Sequence, residues 1–125
     1  MHTQHSEITL EEKNTEAPIG IMAALEQEIA VILQNMGESV SVHLIAGRRY
    51  YQGQLDGQHY VVVLSRIGKV AAASTATTLI NKFGVRSVVF AGLAGGVHPD
   101  ALIGDIVIGS SIYQHDLDAS PLFPK

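Results

Sequence analysis

Two carboxylates, Glu26 and Glu28, stand just after the apolar run Ile19-Gly20-Ile21-Met22-Ala23 and at the head of a helical pattern. An acid there can do one of two things. It can complement the exposed N–H groups and positive dipole end of a first helical turn. Alternatively, held half-buried at a strand end with a raised pKa, it can accept a proton near neutral pH. Leu25, Ile29, Ile32, Leu33 and Met36 recur at i, i+4, i+7, i+8 and i+11, one face of a helix that Gly37 ends. At about 100° per residue Glu26 and Glu28 flank this stripe and Gln27 points away from it. Periodicity nominates both acids and does not choose between them.

A second chemically informative stretch is Gly92-Leu93-Ala94-Gly95-Gly96, glycine-rich and placed after the apolar run Val88-Val89-Phe90-Ala91. Without Cβ atoms such a loop lets backbone approach a ligand closely, or serves turn geometry alone. Its G-x-x-G-G spacing is not the dinucleotide fingerprint, and no Gly-Lys-Ser/Thr follows as a P-loop requires. His115, Asp116 and Asp118 are too few and too loosely grouped for a metal site, and His2 and His5 belong to a polar tail, so no metal or cofactor is assigned. Arg48, Arg49, Tyr50 and Tyr51 are read as solvated positions of a turn and hairpin strand rather than as a stacking surface.

The elements that must position these residues alternate. Residues 1–18 are polar and aperiodic and are expected to be a flexible tail, leaving residues 19–125 as part of one domain. Ile19–Ala23 reads as a buried parallel strand. Residues 40–46, 50–55 and 60–64 read as strands, the last two joined by an Asp56-Gly57 type I′ turn. Ser65-Arg66-Ile67-Gly68-Lys69-Val70 is a second strand-to-helix junction. The helix after it has an apolar face of Ala72, Ala76, Leu79, Ile80 and Phe83 and ends at Gly84. Residues 88–91 are expected as a buried strand and 104–108 as a further one. The class is α/β, with β–α–β crossovers and candidate ligands at the carboxyl ends of the strands.

Composition narrows the function. A chain of 125 residues with 46% hydrophobic and 16% charged residues is a globular balance. Its formal net charge of −4 gives nucleic acid or an anionic membrane no electrostatic purchase, so a small-molecule partner is expected. The absence of cysteine excludes thiolate nucleophiles, disulfides and Cys-based metal sites. No apolar run is long enough to span a bilayer and the amino terminus has no signal pattern, so the chain is expected in the cytoplasm.

Taken together, Ile19-Gly20-Ile21 leading to Glu26-Gln27-Glu28-Ile29, then Ser65-Arg66-Ile67-Gly68-Lys69-Val70-Ala71-Ala72, Ala91-Gly92-Leu93-Ala94-Gly95-Gly96, Gly104-Asp105-Ile106-Val107 and Tyr113-Gln114-His115-Asp116-Leu117-Asp118 resemble the amino-terminal half of the 5′-methylthioadenosine/S-adenosylhomocysteine nucleosidases. The resemblance implies the nucleoside phosphorylase/hydrolase fold, a mixed central sheet flanked by helices and incomplete in this chain. It implies hydrolysis of the N-glycosidic bond between adenine and a 5′-thio-substituted ribose, without a cofactor, by a homodimer. By this resemblance Glu28 is the acid that activates water at the anomeric carbon. Ile67 contacts the ribose and thioether end, and Leu93, Ala94 and Gly95 line the nucleoside. Leu122 or Phe123 enters the neighbouring subunit's alkylthio pocket.

Two departures qualify the match. Leu93 stands where the family commonly has serine, which removes a hydroxyl near the sugar. The family also continues beyond position 125 with a Met-Glu segment for the ribose hydroxyls and an Asp that protonates purine N7, so this polypeptide alone is expected to be truncated and catalytically incomplete. Two other function classes stay open. One is a phosphorylase of the same fold, disfavoured by the acidic first loop, which would repel phosphate. The other is a non-catalytic nucleoside-binding or oligomerisation module.

Overall fold

The computed structural model describes residues 16–123 and contains seven elements in the order β1 (Ile19–Ala23), α1 (Glu26–Met36), β2 (Ser41–Ile45), β3 (Arg48–Leu55), β4 (Gln58–Leu64), α2 (Lys69–Phe83) and β5 (Ser87–Phe90). The strands form one five-stranded sheet in the order β2-β3-β4-β1-β5. Tight turns make β2-β3-β4 antiparallel, whereas β1 is parallel to β4 and to β5, as strands separated by helices must be. This is the α/β class expected from the pattern of elements and the mixed sheet flanked by helices that the resemblance implies. Residues 1–15, most of the expected tail, lie outside the described residues.

The alternation of side chains along the strands divides the core in two. On one face Met22, Tyr50, Val61, Val63 and Leu79 are buried, with Ala72, Ala76 and Phe83 of α2 packed against them. On the other face Ala23, Ile29, Met36 and Val62 are buried, with Ile32 and Leu33 of α1 beside them. Val61, Val62 and Val63 are each 0% exposed, so β4 is covered on both faces. Gly20 lets α2 come close: a Cβ there would stand 3.1 Å from Leu79 Cδ1. Full burial of Leu79 stabilises the fold by about 1.5–3 kcal/mol.

Local signals act where they are placed. Asp56 and Gly57 have φ of 50° and 78°, the paired positive values of a type I′ turn. Gly84 caps α2 in the left-handed region, and Lys82 occupies its last turn.

Several expectations are corrected. Tyr50 is not a solvated hairpin residue: it is buried and stacks on Phe83 at 5.1 Å between ring centroids. An alternating strand sends one of two adjacent tyrosines to each face, and the face carrying Tyr50 is covered by α2. Ile80 is exposed, and Thr75 takes a core place instead, its hydroxyl donating to Ala71 O at 2.8 Å. β5 ends at Phe90 and its side chains are exposed rather than buried. Among the described residues it pairs only with β1, and the helices pack on β1, β3 and β4 rather than over it.

The chain divides into two compact units, the first ending at Leu93 and the second beginning at Ala94. All seven elements belong to the first. The described part of the second consists of turns, such as the one in which Asp105 Oδ2 accepts from Leu102 N at 2.9 Å. The predicted strand over 104–108 does not form there, because the described part of this unit offers no neighbouring strand to complete a ladder.

Candidate functional site

Parallel pairing brings the carboxyl ends of β4, β1 and β5 to one edge of the sheet. Ala23 is paired with Leu64 and Met22 with Phe90. The alignment continues one residue beyond each strand, where Ser65 N donates to Ala23 O at 2.8 Å and Ala91 N donates to Met22 O at 2.9 Å. The two junctions and the start of the glycine loop therefore leave the sheet side by side, with β1 central. That is the position at which open α/β sheets hold ligands.

Glu28 occupies this edge. Leu25 is the N-cap of α1 in extended conformation, and its apolar side chain cannot cap the helix. Glu28, at the third helical position, reaches back instead. Its Oε2 accepts from Ala24 N at 3.0 Å and from Leu25 N at 2.9 Å, while Oε1 accepts from Leu93 N at 3.0 Å. One carboxylate thus joins the first junction to the beginning of the glycine loop. A carboxylate has about four lone-pair directions, and three N–H donors leave roughly one, on Oε1.

The electrostatics oppose one expectation. Glu28 is partly buried, but its pKa lies below the ordinary carboxylate value, not above it. The N–H of Leu25 is the largest cause, followed by that of Leu93. Desolvation pushes the other way and is outweighed, with Ala24 N–H adding to the lowering. The group is ionised at neutral pH. Glu26, which periodicity could not separate from Glu28, is simply exposed.

The second junction is built by Ser65 and Arg66, which the sequence places there without a role, and by Arg48, which is tied to this junction rather than solvated. Ser65 is 1% exposed, and its Oγ lies 3.2 Å from Ala23 O and 2.9 Å from Arg66 O. Arg66 has a φ of 68°, in the left-handed region, and donates from Nη2 to Gly47 O at 2.8 Å. Arg48 donates from Nε to Ser65 O at 3.2 Å. Ile67 is 79% exposed and lines an open depression with Arg48, Gly68, Lys69, Val70 and Ser74, a lining that does not include Glu28.

Of the residues singled out from sequence, Glu28 and Leu93 are brought together, through the backbone of Leu93 rather than its exposed side chain. Ala94, Gly95, Leu122 and Phe123 belong to the second unit, where all are exposed and Leu122 N and Phe123 N both turn back onto Ala119 O. The backbone donors of Ala24 and Leu25 were not legible in advance, since every residue but proline carries the same N–H. Among the described residues no group of three His, Cys, Asp or Glu could hold a metal ion, and no helix is long and apolar enough to cross a membrane.

Residues 18–125 match the model of the phosphorylase superfamily. The chain belongs to this superfamily. Within it, the chain is 43% identical over 102 residues to the 5′-methylthioadenosine/S-adenosylhomocysteine nucleosidase of Shewanella piezotolerans, covering 82% of this chain and 44% of that protein. A solved nucleosidase of the same name from Colwellia psychrerythraea, in complex with adenine, superposes with a TM-score of 0.81 at 39% identity, over 86% of this chain and 44% of the other. The futalosine hydrolase of Helicobacter pylori gives a TM-score of 0.78 at 34% identity, over 86% and 46%. This phosphorylase-superfamily chain spans a little under half the length of the curated relatives it matches. The resemblance drawn from its motifs and its sheet architecture agree with these matches.

Proposed function

We propose that the chain is part of a purine nucleosidase that hydrolyses the N-glycosidic bond of a 5′-thio-substituted adenosine and releases adenine. The observation that supports this most is the Glu28 carboxylate, ionised and cradled at the carboxyl edge of β1 with one acceptor direction left over. In such a cleavage the bond from the anomeric carbon to the purine nitrogen breaks with its electron pair leaving on adenine, and the sugar passes through a state of oxocarbenium character. A fixed carboxylate stabilises that positive charge and takes the proton of the attacking water as the new C–O bond forms. The three N–H donors lower the basicity of Glu28, but they keep it charged and oriented before substrate arrives.

The leaving purine needs a proton of its own, from an acid outside the residues assigned here. Ile67, Leu93, Ala94 and Gly95 would contact the nucleoside, and Leu122 or Phe123 the 5′ pocket of a partner subunit in a cytoplasmic homodimer. Hydrolysis fits the acidic first junction better than phosphorolysis, because Glu26 and Glu28 would repel phosphate.

The test is adenine release from methylthioadenosine by the intact enzyme, with and without Glu28→Gln. The amide cannot take the proton, and a fall of about 10²–10⁴-fold is expected. Turnover that depends on added phosphate would favour a phosphorylase, and unaltered turnover would remove Glu28 from the chemistry. A futalosine-type nucleoside belongs in the same assay, given the likeness to a futalosine hydrolase.

A further inference from the structure

The three glycines of the loop are not equivalent. Gly95 has open space where a Cβ would stand, and at Gly96 a Cβ would meet only Ala101 Cβ, at 3.2 Å. At Gly92 a Cβ would lie 3.2 Å from Glu28 Oε1 and 2.9 Å from Phe90 Cε1. Gly92 is not among the residues with positive φ, so its backbone is one that other residues adopt and the demand for glycine is spatial. The crowded oxygen is the one that accepts from the next residue, Leu93 N, at 3.0 Å. It also carries the free acceptor direction. The other oxygen is held by Ala24 N and Leu25 N, so the carboxylate cannot back away without loosening the α1 cap.

From this geometry we infer that Gly92 is a positioning residue: the missing side chain lets the 92–93 peptide close on Glu28, aiming Oε1 and setting how strongly its charge is held. The inference rests on the reading of Glu28 as the water-activating group for its functional meaning, but not for its geometry. The exposed ring of Phe90 can swing aside, whereas Glu28, tethered to the α1 cap by Ala24 N and Leu25 N, has least freedom to yield. In Gly92→Ala the 92–93 peptide therefore withdraws, and the bond from Leu93 N is the one lost. Among the described residues, the groups acting on the Glu28 carboxyl are the three backbone donors and desolvation, with no charged side chain among them, so a change in its titration reports on that bond.

The experiment follows the Glu28 side-chain carboxyl by carbon NMR through an acid titration of the full 125-residue chain, with the signal assigned by its loss in Glu28→Gln. In Gly92→Ala the midpoint should rise toward the ordinary carboxylate value, and the Leu93 amide should exchange with solvent about ten-fold faster, as for the loss of one net hydrogen bond. The double variant Phe90→Ala/Gly92→Ala removes the ring from the crowded position and should keep both changes. If both vanish in the double variant, the ring and not Glu28 imposes the spacing, and the inference is overturned. Unchanged titration and exchange in folded Gly92→Ala overturn it too. Should Gly92→Ala not fold, Leu93 amide exchange in Glu28→Ala, which keeps no side-chain acceptor, decides: no acceleration means the bond is not there to be positioned. Adenine release that survives Glu28→Gln in the intact enzyme would instead remove the catalytic reading and leave this spacing relation standing.

Discussion

Glu28 Oε1 and the backbone nitrogen of Leu93 stand 3.0 Å apart across 65 residues of sequence, a helix terminus on one side and the exit of an edge strand on the other. The same carboxylate serves as the missing cap of α1 and as the charge at the candidate site. Glutamine cannot imitate it. Its single carbonyl oxygen can satisfy either the Ala24 and Leu25 donors or Leu93, and its NH₂ then faces a donor on the other side. Glu28→Gln is therefore expected to lower the urea midpoint as well as activity, and Glu28→Asp, one methylene shorter, to lose one of the two attachments also. An unchanged midpoint in both variants would contradict the tie between these elements.

The pH dependence of stability has a definite sign. The folded-state pKa of Glu28 lies below its ordinary value of 4.5, so the unfolded chain binds the proton first as pH falls. The contribution of Glu28 is complete above that ordinary value and is lost as pH drops through the lowered one. The gap in urea midpoint between the wild-type chain and Glu28→Gln should be constant near neutrality and close in acid. A gap that widens on acidification would reverse the assignment. In the intact enzyme the acid limb of kcat/KM should correspondingly lie below the ordinary carboxylate range.

Two glycine-to-alanine substitutions should fail for different reasons. Gly57 has a φ of +78° and open space around its missing Cβ, so Gly57→Ala costs backbone strain alone, about 1–2 kcal/mol by urea denaturation. Gly53→Ala is limited by contact: its Cβ would stand 2.9 Å from Met36 Cε and 3.2 Å from Val40 Cγ2. Shortening Met36 to alanine should relieve Gly53→Ala, giving a favourable coupling in a double-mutant cycle, while the same shortening does nothing for Gly57→Ala.

Helix α2 offers a pair of adjacent aliphatic residues with opposite fates. Leu79 is 0% exposed and Ile80 is 55% exposed. Leu79→Ala should cost about 2–5 kcal/mol through the cavity it leaves. Ile80→Ala should stay within about 0.5 kcal/mol, as for an exposed position. Equal losses by thermal or urea unfolding would mean that Ile80 is covered in solution.

Local physics alone determined much of this chain. The apolar run before Glu26 and Glu28, the spacing of Ile29, Ile32, Leu33 and Met36, and the Asp56-Gly57 turn each state their conformation within a few residues, because periodicity and positive φ are properties of short segments. The motif order from Ile19 onward also indicated the superfamily that residues 18–125 match. Periodicity left Glu26 and Glu28 alike, and the resemblance chose Glu28 for the chemistry. Only the tertiary structure decided what holds that carboxylate from across the sheet: Leu93 N, brought near by the parallel pairing of β1 with β5. It likewise decided that the carboxyl is lowered rather than raised, since the outcome depends on how many N–H groups converge against desolvation. Tyr50 went to the core and β5 stayed uncovered for a related reason: burial depends on which element lies above a residue, and no single segment contains that information.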